Sequence, residues 1–181
     1  MAMLTHRWTL MLGLCACGGS PPQASLEACT PLPLPSTSTW REVRQPEASF
    51  RIPPAYRDLE AIRGEQEIGI SYGTDSSRAS LYYGRISVRD SPSESSEQRS
   101  ECEIPIGGRS SKLVIQKIRH GEEASKVPRW FVTAYWGEVE PDRHLSLVAT
   151  VDDSTRLPEA VAIVLSAQLP SRWSDSIGGR R

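Results

Sequence analysis

Gly69-Ile70-Ser71-Tyr72-Gly73 has the Gly-x-Ser-x-Gly spacing of a hydrolase nucleophile elbow. In that elbow a strained strand-to-helix turn lifts a serine toward a carbonyl. The chemistry also needs an acid and then a histidine downstream, and Asp90 with His120 or His144 stands in that order. The surrounding pattern does not supply the turn. Residues 67–72 read as a strand that passes through Gly73-Thr74-Asp75-Ser76-Ser77 into a second strand, and no helical period follows the serine. Ser71 is therefore expected to be structural, facing water while Ile68, Ile70 and Tyr72 face a core; a small exported serine hydrolase using Ser71 is the enzymatic alternative. Metal chemistry has less to work with. His120 with Glu122 and Glu123 is the one local cluster of ligand types and reads as a turn, and Asp142, Asp152 and Asp153 read as solvated hairpin loops rather than a weak calcium site. No metal and no cofactor is expected. Aromatic residues are the third resource: Phe131 and Tyr135 share one face of a strand, and with Tyr82 or Tyr83 of a neighbouring strand they would form a candidate binding surface. Ordinary packing on both faces of a sheet explains the same pattern.

The cysteines carry a different chemistry. Arg7 is followed by an apolar run from Trp8 to Leu14, and Leu14-Cys15-Ala16 then precedes Cys17. This stretch resembles the bacterial lipoprotein lipobox, with small Ala16 in front of the acceptor; Cys15 is a poor acceptor because bulky Leu14 precedes it. The resemblance implies removal of residues 1–16 as a signal peptide and a diacylglycerol thioether on Cys17, with fatty acyl chains such as palmitate in the membrane. An ordinary secretory peptide is the competing reading. A transmembrane anchor needs about 20 apolar residues, and this run stops at Gly18-Gly19-Ser20. Because Gly18 rather than Asp follows Cys17, the resemblance to sorted lipoproteins points to the outer membrane of a two-membrane cell envelope. Cleavage and acylation would leave Cys29 and Cys102, a disulfide candidate in an oxidising compartment, with two free thiols as the alternative.

A mature chain of 165 residues, 181 less 16, suits one domain plus connecting segments. A formal net charge of −1 excludes the electrostatic footprint of a nucleic-acid binder. Residues 17–38 hold Pro21, Pro22, Pro31, Pro33 and Pro35 among small polar residues, a lipidated proline-rich tether of extended, semi-rigid character. The domain is expected over 39–170. Strands are expected at 40–43, 48–52, 67–72, 79–88, 112–118, 130–136 and 145–151, with a helix over 54–63 and a serine- and acid-rich solvated loop over 90–101. Asp153, Ser154 and Thr155 are capping types, and Pro158, Val161, Val164, Leu165 and Gln168 then follow helical spacing. Residues 171–181 read as a flexible tail.

These elements predict an α+β fold, an antiparallel β-sheet covered on one face by a C-terminal amphipathic helix. The segment Ser49-Phe50-Arg51-Ile52-Pro53-Pro54, with the strands and closing helix after it, is similar to PsbP-like α+β domains. That resemblance implies the fold, with no site residue carried over, and an accessory or binding role. The functional expectation is a non-enzymatic envelope lipoprotein that binds or supports another envelope component, with a structural spacer as a further alternative.

Overall fold

The computed structural model describes residues 33–59, 61–63, 67–85, 96–118 and 130–174. The residues read as a signal peptide, Cys17, Cys29, most of the expected tether, Asp90, His120, Glu122 and Glu123 lie outside the described residues.

Strands β1 (Arg41–Arg44) and β2 (Ser49–Ile52) form a hairpin closed by Gln45 N donating to Ala48 O at 3.0 Å. Alternation buries Val43, Phe50 and Ile52 while Arg41, Glu42, Arg44 and Arg51 stay exposed. Pro53 and Pro54 end β2, as a proline without N–H must. The helix expected at 54–63 is absent. Tyr56 N bonds Pro53 O at 3.0 Å in a turn, and the two-residue strands β3 (Arg57–Asp58) and β4 (Ile62–Arg63) follow. Both pair in succession along β5 (Glu67–Gly73), and Leu59 N also bonds Ser71 O at 2.9 Å. A neighbouring strand edge thus takes the backbone groups that a helix would have paired internally, and tertiary context overrides a weak local preference.

Strands β6 (Ser77–Gly84), β7 (Ser96–Ile106), β8 (Arg109–Ile118), β9 (Trp130–Glu140) and β10 (Arg143–Val151) complete an antiparallel sheet. Seven strands run in line as β3-β5-β6-β10-β9-β8-β7, with β4 beside β5 as the eighth. The loop expected over 90–101 is corrected from residue 96 onward, where β7 begins; 90–95 lie outside the described residues. The reason for the misreading is position. β7 ends the strand order, and Ser100, Glu101, Glu103 and Pro105 are exposed along it, the polar composition that keeps an edge strand from pairing with another chain. Gly107 and Gly108 join β7 to β8 with φ of +63° and +80°, the two successive positive values of a tight hairpin turn. A Cβ on Gly107 would also stand 2.9 Å from Leu169 N.

The α+β expectation is overturned. Strand makes up more than half of the structure and helix about one residue in seven, so the fold is mostly β, a large antiparallel sheet with one short helix. After Asp153 Oδ1 accepts from Thr155 N at 2.9 Å in a 3-10 turn (Ser154–Arg156), helix α1 spans only Leu157–Leu165. It is not an amphipathic cover. Leu157 and all five residues from Ala160 to Val164 are buried, because β9 and β10 pack on it and β2 packs on it as well. A helix apolar around most of its circumference belongs inside a core, not on top of one. Ser166 then ends the helix: its hydroxyl accepts from Arg51 N at 2.8 Å and donates to Ile163 O at 2.6 Å. Gln168 exchanges backbone bonds with Ser49 at 2.9 and 2.7 Å and bridges Gly107. The folded part also runs past residue 170. Ser171–Ser174 form a helical turn, α2, whose Trp173 is 2% exposed; 175–181 lie outside the described residues.

Candidate functional site

The sheet has two unlike faces, and register settles which side chains meet on each. Leu145, Leu147, Ala149 and Val151 of β10 share the first face with Val132, Ala134 and Trp136 of β9, Leu113 and Ile115 of β8, and Ala79 and Leu81 of β6. That face holds the core and receives α1.

On the second face, pairing stacks three rows across the strands. One runs Gly69, Tyr82, Ser146, Tyr135, Lys112, Glu103. The next runs Ser71, Ser80, Val148, Thr133, Val114, Glu101, and the third Gly73, Arg78, Thr150, Phe131, Gln116. From Ser71 to Val114 the middle row is buried, between 1% and 7% exposed. Tyr82, Tyr135 and Phe131 in the flanking rows are only partly buried. Tyr82 and Tyr135 stand two strands apart, about 10 Å, with Ser146 between them. Tyr135 Oη lies 3.1 Å from His144 Nδ1 and the two rings stack at 6.3 Å. Lys112 pairs with Glu101 across the strand pair. The second face therefore carries Phe131, Tyr135 and Tyr82 of the four aromatic residues expected to form a surface, spread over about 10 to 16 Å of sheet, and adds His144, Lys112 and Arg78, which strand alternation alone could have indicated.

Tyr83 lies apart, on the core side. Its hydroxyl donates to Glu140 Oε2 at 2.7 Å and its ring stacks on Trp173 at 5.9 Å and 25°. Trp173 Nε1 donates to Glu140 Oε1 at 3.1 Å, so one carboxylate holds the C-terminal turn against the sheet. These hydrogen bonds, from Tyr83 first and Trp173 second, keep the Glu140 carboxyl below its ordinary range, while burial above all raises the Tyr83 phenol. A folded-state pKa below the unfolded value of about 4.3 means stability present above that value and lost as pH falls through the depressed one. Unfolding curves measured from pH 6 down to pH 3 should show the wild type losing stability faster than Glu140→Gln, which has no carboxylate to protonate; parallel curves would remove this role.

Ser71 lies mid-strand in β5, not on a strand-to-helix turn, and it does not face water as expected: it is buried, with its Oγ 2.9 Å from Ser80 Oγ. His144 is two strands across and four residues along from the Ser71 row, about 16 Å on sheet spacings, so it cannot serve as base to that hydroxyl. No family model matches the sequence, and no curated protein is similar to it. The reading of function rests accordingly on the residues themselves. Among the described residues no group of three or more His, Cys, Asp or Glu is placed to hold a metal ion. Asp142 occupies the β9–β10 turn at φ +58°, its N–H bonded to Glu138 Oε1 at 3.0 Å, and Asp153 caps the 3-10 turn. Cys102, on β7, is partly buried against the core and its sulfur is held in a disulfide. Cys29 lies outside the described residues.

Proposed function

We propose that this chain is a lipoprotein of the cell envelope, anchored in the membrane through Cys17, whose domain is a non-enzymatic module that binds or supports another envelope component. The address comes from the lipobox-like Leu14-Cys15-Ala16-Cys17 and from Gly18, which favours the outer membrane of a two-membrane cell. The observation that carries the binding role is the partly exposed set Tyr82, Tyr135 and Phe131 on one sheet face, beside a row of small buried side chains. Aromatic groups bring large contact area at low entropic cost, which suits them to a docking surface. Crosslinking in intact cells, followed by purification from membranes, should recover a partner with the wild-type protein and lose it with Tyr135→Ser combined with Phe131→Ser. A spacer would yield the same products with both proteins.

Ser71 is assigned a structural part in this reading. Its hydroxyl and that of Ser80 satisfy each other within the sheet. Ser71→Ala should leave any ester hydrolysis by the purified domain unchanged and cost about 1 kcal/mol through the unpaired Ser80 hydroxyl. A serine-dependent hydrolytic rate would refute it and restore the hydrolase alternative.

A further inference from the structure

We infer that the outer face of the β1–β2 hairpin carries a binding site for a saccharide bearing an acetamido group, seated between the hairpin and residues 166–170. Strand alternation sends Val43, Phe50 and Ile52 into the core and leaves Glu42, Arg44, Ser49 and Arg51 on the other side of the hairpin. The chain leaving α1 runs beside β2, where Gln168 and Ser49 exchange backbone hydrogen bonds at 2.9 and 2.7 Å. A cleft of about 370 Å³ opens there, lined by Thr37, Glu42, Ser49, Arg51, Ser166 and Gln168. That volume suits a small ligand, whose sites run from about 300 to 1,000 Å³. The cleft stands apart from the aromatic face, because the hairpin and α1 pack together on the core side of the sheet.

Its floor is held in place by the fold. Ser166 Oγ accepts from Arg51 N at 2.8 Å, Arg51 Nη1 donates to Thr37 O at 3.3 Å, and Phe50 beneath them is 1% exposed. Glu42 Oε2 accepts from Arg44 Nη2 at 2.9 Å, and that bond first, with the charges of Arg44 and Arg51 behind it, keeps the Glu42 carboxyl below its ordinary range. Other groups are left for a ligand. Glu42 Oε1, Arg51 Nη2, the Gln168 side-chain amide and the hydroxyls of Thr37 and Ser49 have no hydrogen-bond partner among the described residues.

That mixture of donors and acceptors selects the ligand class. An inorganic anion would gain from Arg51 and be opposed by Glu42, while a cation would meet Arg51 and a carboxylate already bonded to Arg44. An apolar ligand would strip water from both charges. A sugar hydroxyl donates and accepts at once, so a ring of them serves Arg51, Glu42, Ser49 and Gln168 without carrying a charge of its own. A second cleft of about 250 Å³ adjoins the first, sharing Ser49 and Gln168 and adding the apolar surfaces of Pro46, Ala48, Leu169 and Pro170. An acetamido substituent matches that change of character. Its methyl group suits the apolar side chains, and its amide has Gln168 at the border between the two clefts.

Isothermal titration calorimetry tests the site on the full-length protein, held in a detergent without a sugar headgroup, with triacetylchitotriose, maltotriose and trialanine as the probes. Triacetylchitotriose should bind saturably. Maltotriose has as many rings and no acetamido group, and should bind about fivefold more weakly or less tightly still. Gln168→Ala, which keeps the backbone bonds to Ser49, should weaken triacetylchitotriose by about fivefold, and Arg51→Ala by about tenfold or more, the scales of a neutral and a charge-assisted hydrogen bond. Glu42→Gln should also cost about tenfold, and it keeps the comparison decisive should Arg51→Ala fold poorly. Arg57→Ala, which breaks an exposed ion pair with Asp75 outside the cleft, should bind as the wild type does. Absence of triacetylchitotriose binding, equal affinity for maltotriose, binding of trialanine alone, or wild-type affinity in both Gln168→Ala and Glu42→Gln would overturn the inference.

Discussion

Trp173→Ala lowers the unfolding free energy by about 3 to 5 kcal/mol, the range for deleting a buried large aromatic side chain. Trp173 is 2% exposed, stacks on Tyr83 and donates its indole N–H to Glu140. Its removal leaves a cavity beneath the C-terminal turn and takes away one of two hydrogen bonds on a single carboxylate. For a domain of this size the loss corresponds to a melting temperature lower by roughly 6 to 20 °C. Trp173→Phe gives the smaller loss, since it keeps much of the apolar area while removing the donor and part of the ring, for about 1 to 2 kcal/mol. Chemical denaturation of the soluble domain reads both values. A Trp173→Ala cost below 1 kcal/mol would mean that the C-terminal turn is not part of the cooperative unit.

On the lipid anchor proposed for Cys17, Cys17→Ser should convert the protein from membrane-bound to unprocessed, with acyl labelling abolished rather than reduced. The all-or-none effect follows from the anchor's physics: two acyl chains hold a protein stably, each buried CH₂ contributing about 0.8 kcal/mol, and no described helix is long and apolar enough to cross a membrane in their place. Ala16 is a small residue of the kind that the proposed processing in front of Cys17 would require, whereas Leu14 in front of Cys15 is bulky. Metabolic labelling with a palmitate analogue decides between them. Labelling that persists in Cys17→Ser and disappears in Cys15→Ser would move the anchor, and labelling absent from the wild type would leave an ordinary secreted protein.

What the sequence by itself determined was local. Alternating apolar residues marked the strands at 67–72, 112–118, 130–136 and 145–151, and the cap chemistry at Asp153 marked the 3-10 turn that leads into the closing helix, because period and capping act over a few residues and need no partner. Only the tertiary structure decided the rest. Residues 96–101 have the composition of a loop and become an edge strand because β8 offers its hydrogen-bonding groups. Residues 57–58 and 62–63 give up a helical pattern for pairing with β5. The closing helix shows the same limit from the other side: Ala162 and Ile163 fall off its predicted apolar stripe, yet both are buried, since β2 packs on α1 as well as the large sheet. The aromatic surface was legible as residue types on alternating positions. Which tyrosine joins it was not, because Tyr82 and Tyr83 are neighbours in the chain and a one-residue shift in register exchanges their faces. The pairing of Tyr82 with Ser146 and of Tyr83 with Leu145 settles that choice across strands more than sixty residues apart, a distance over which no local pattern acts.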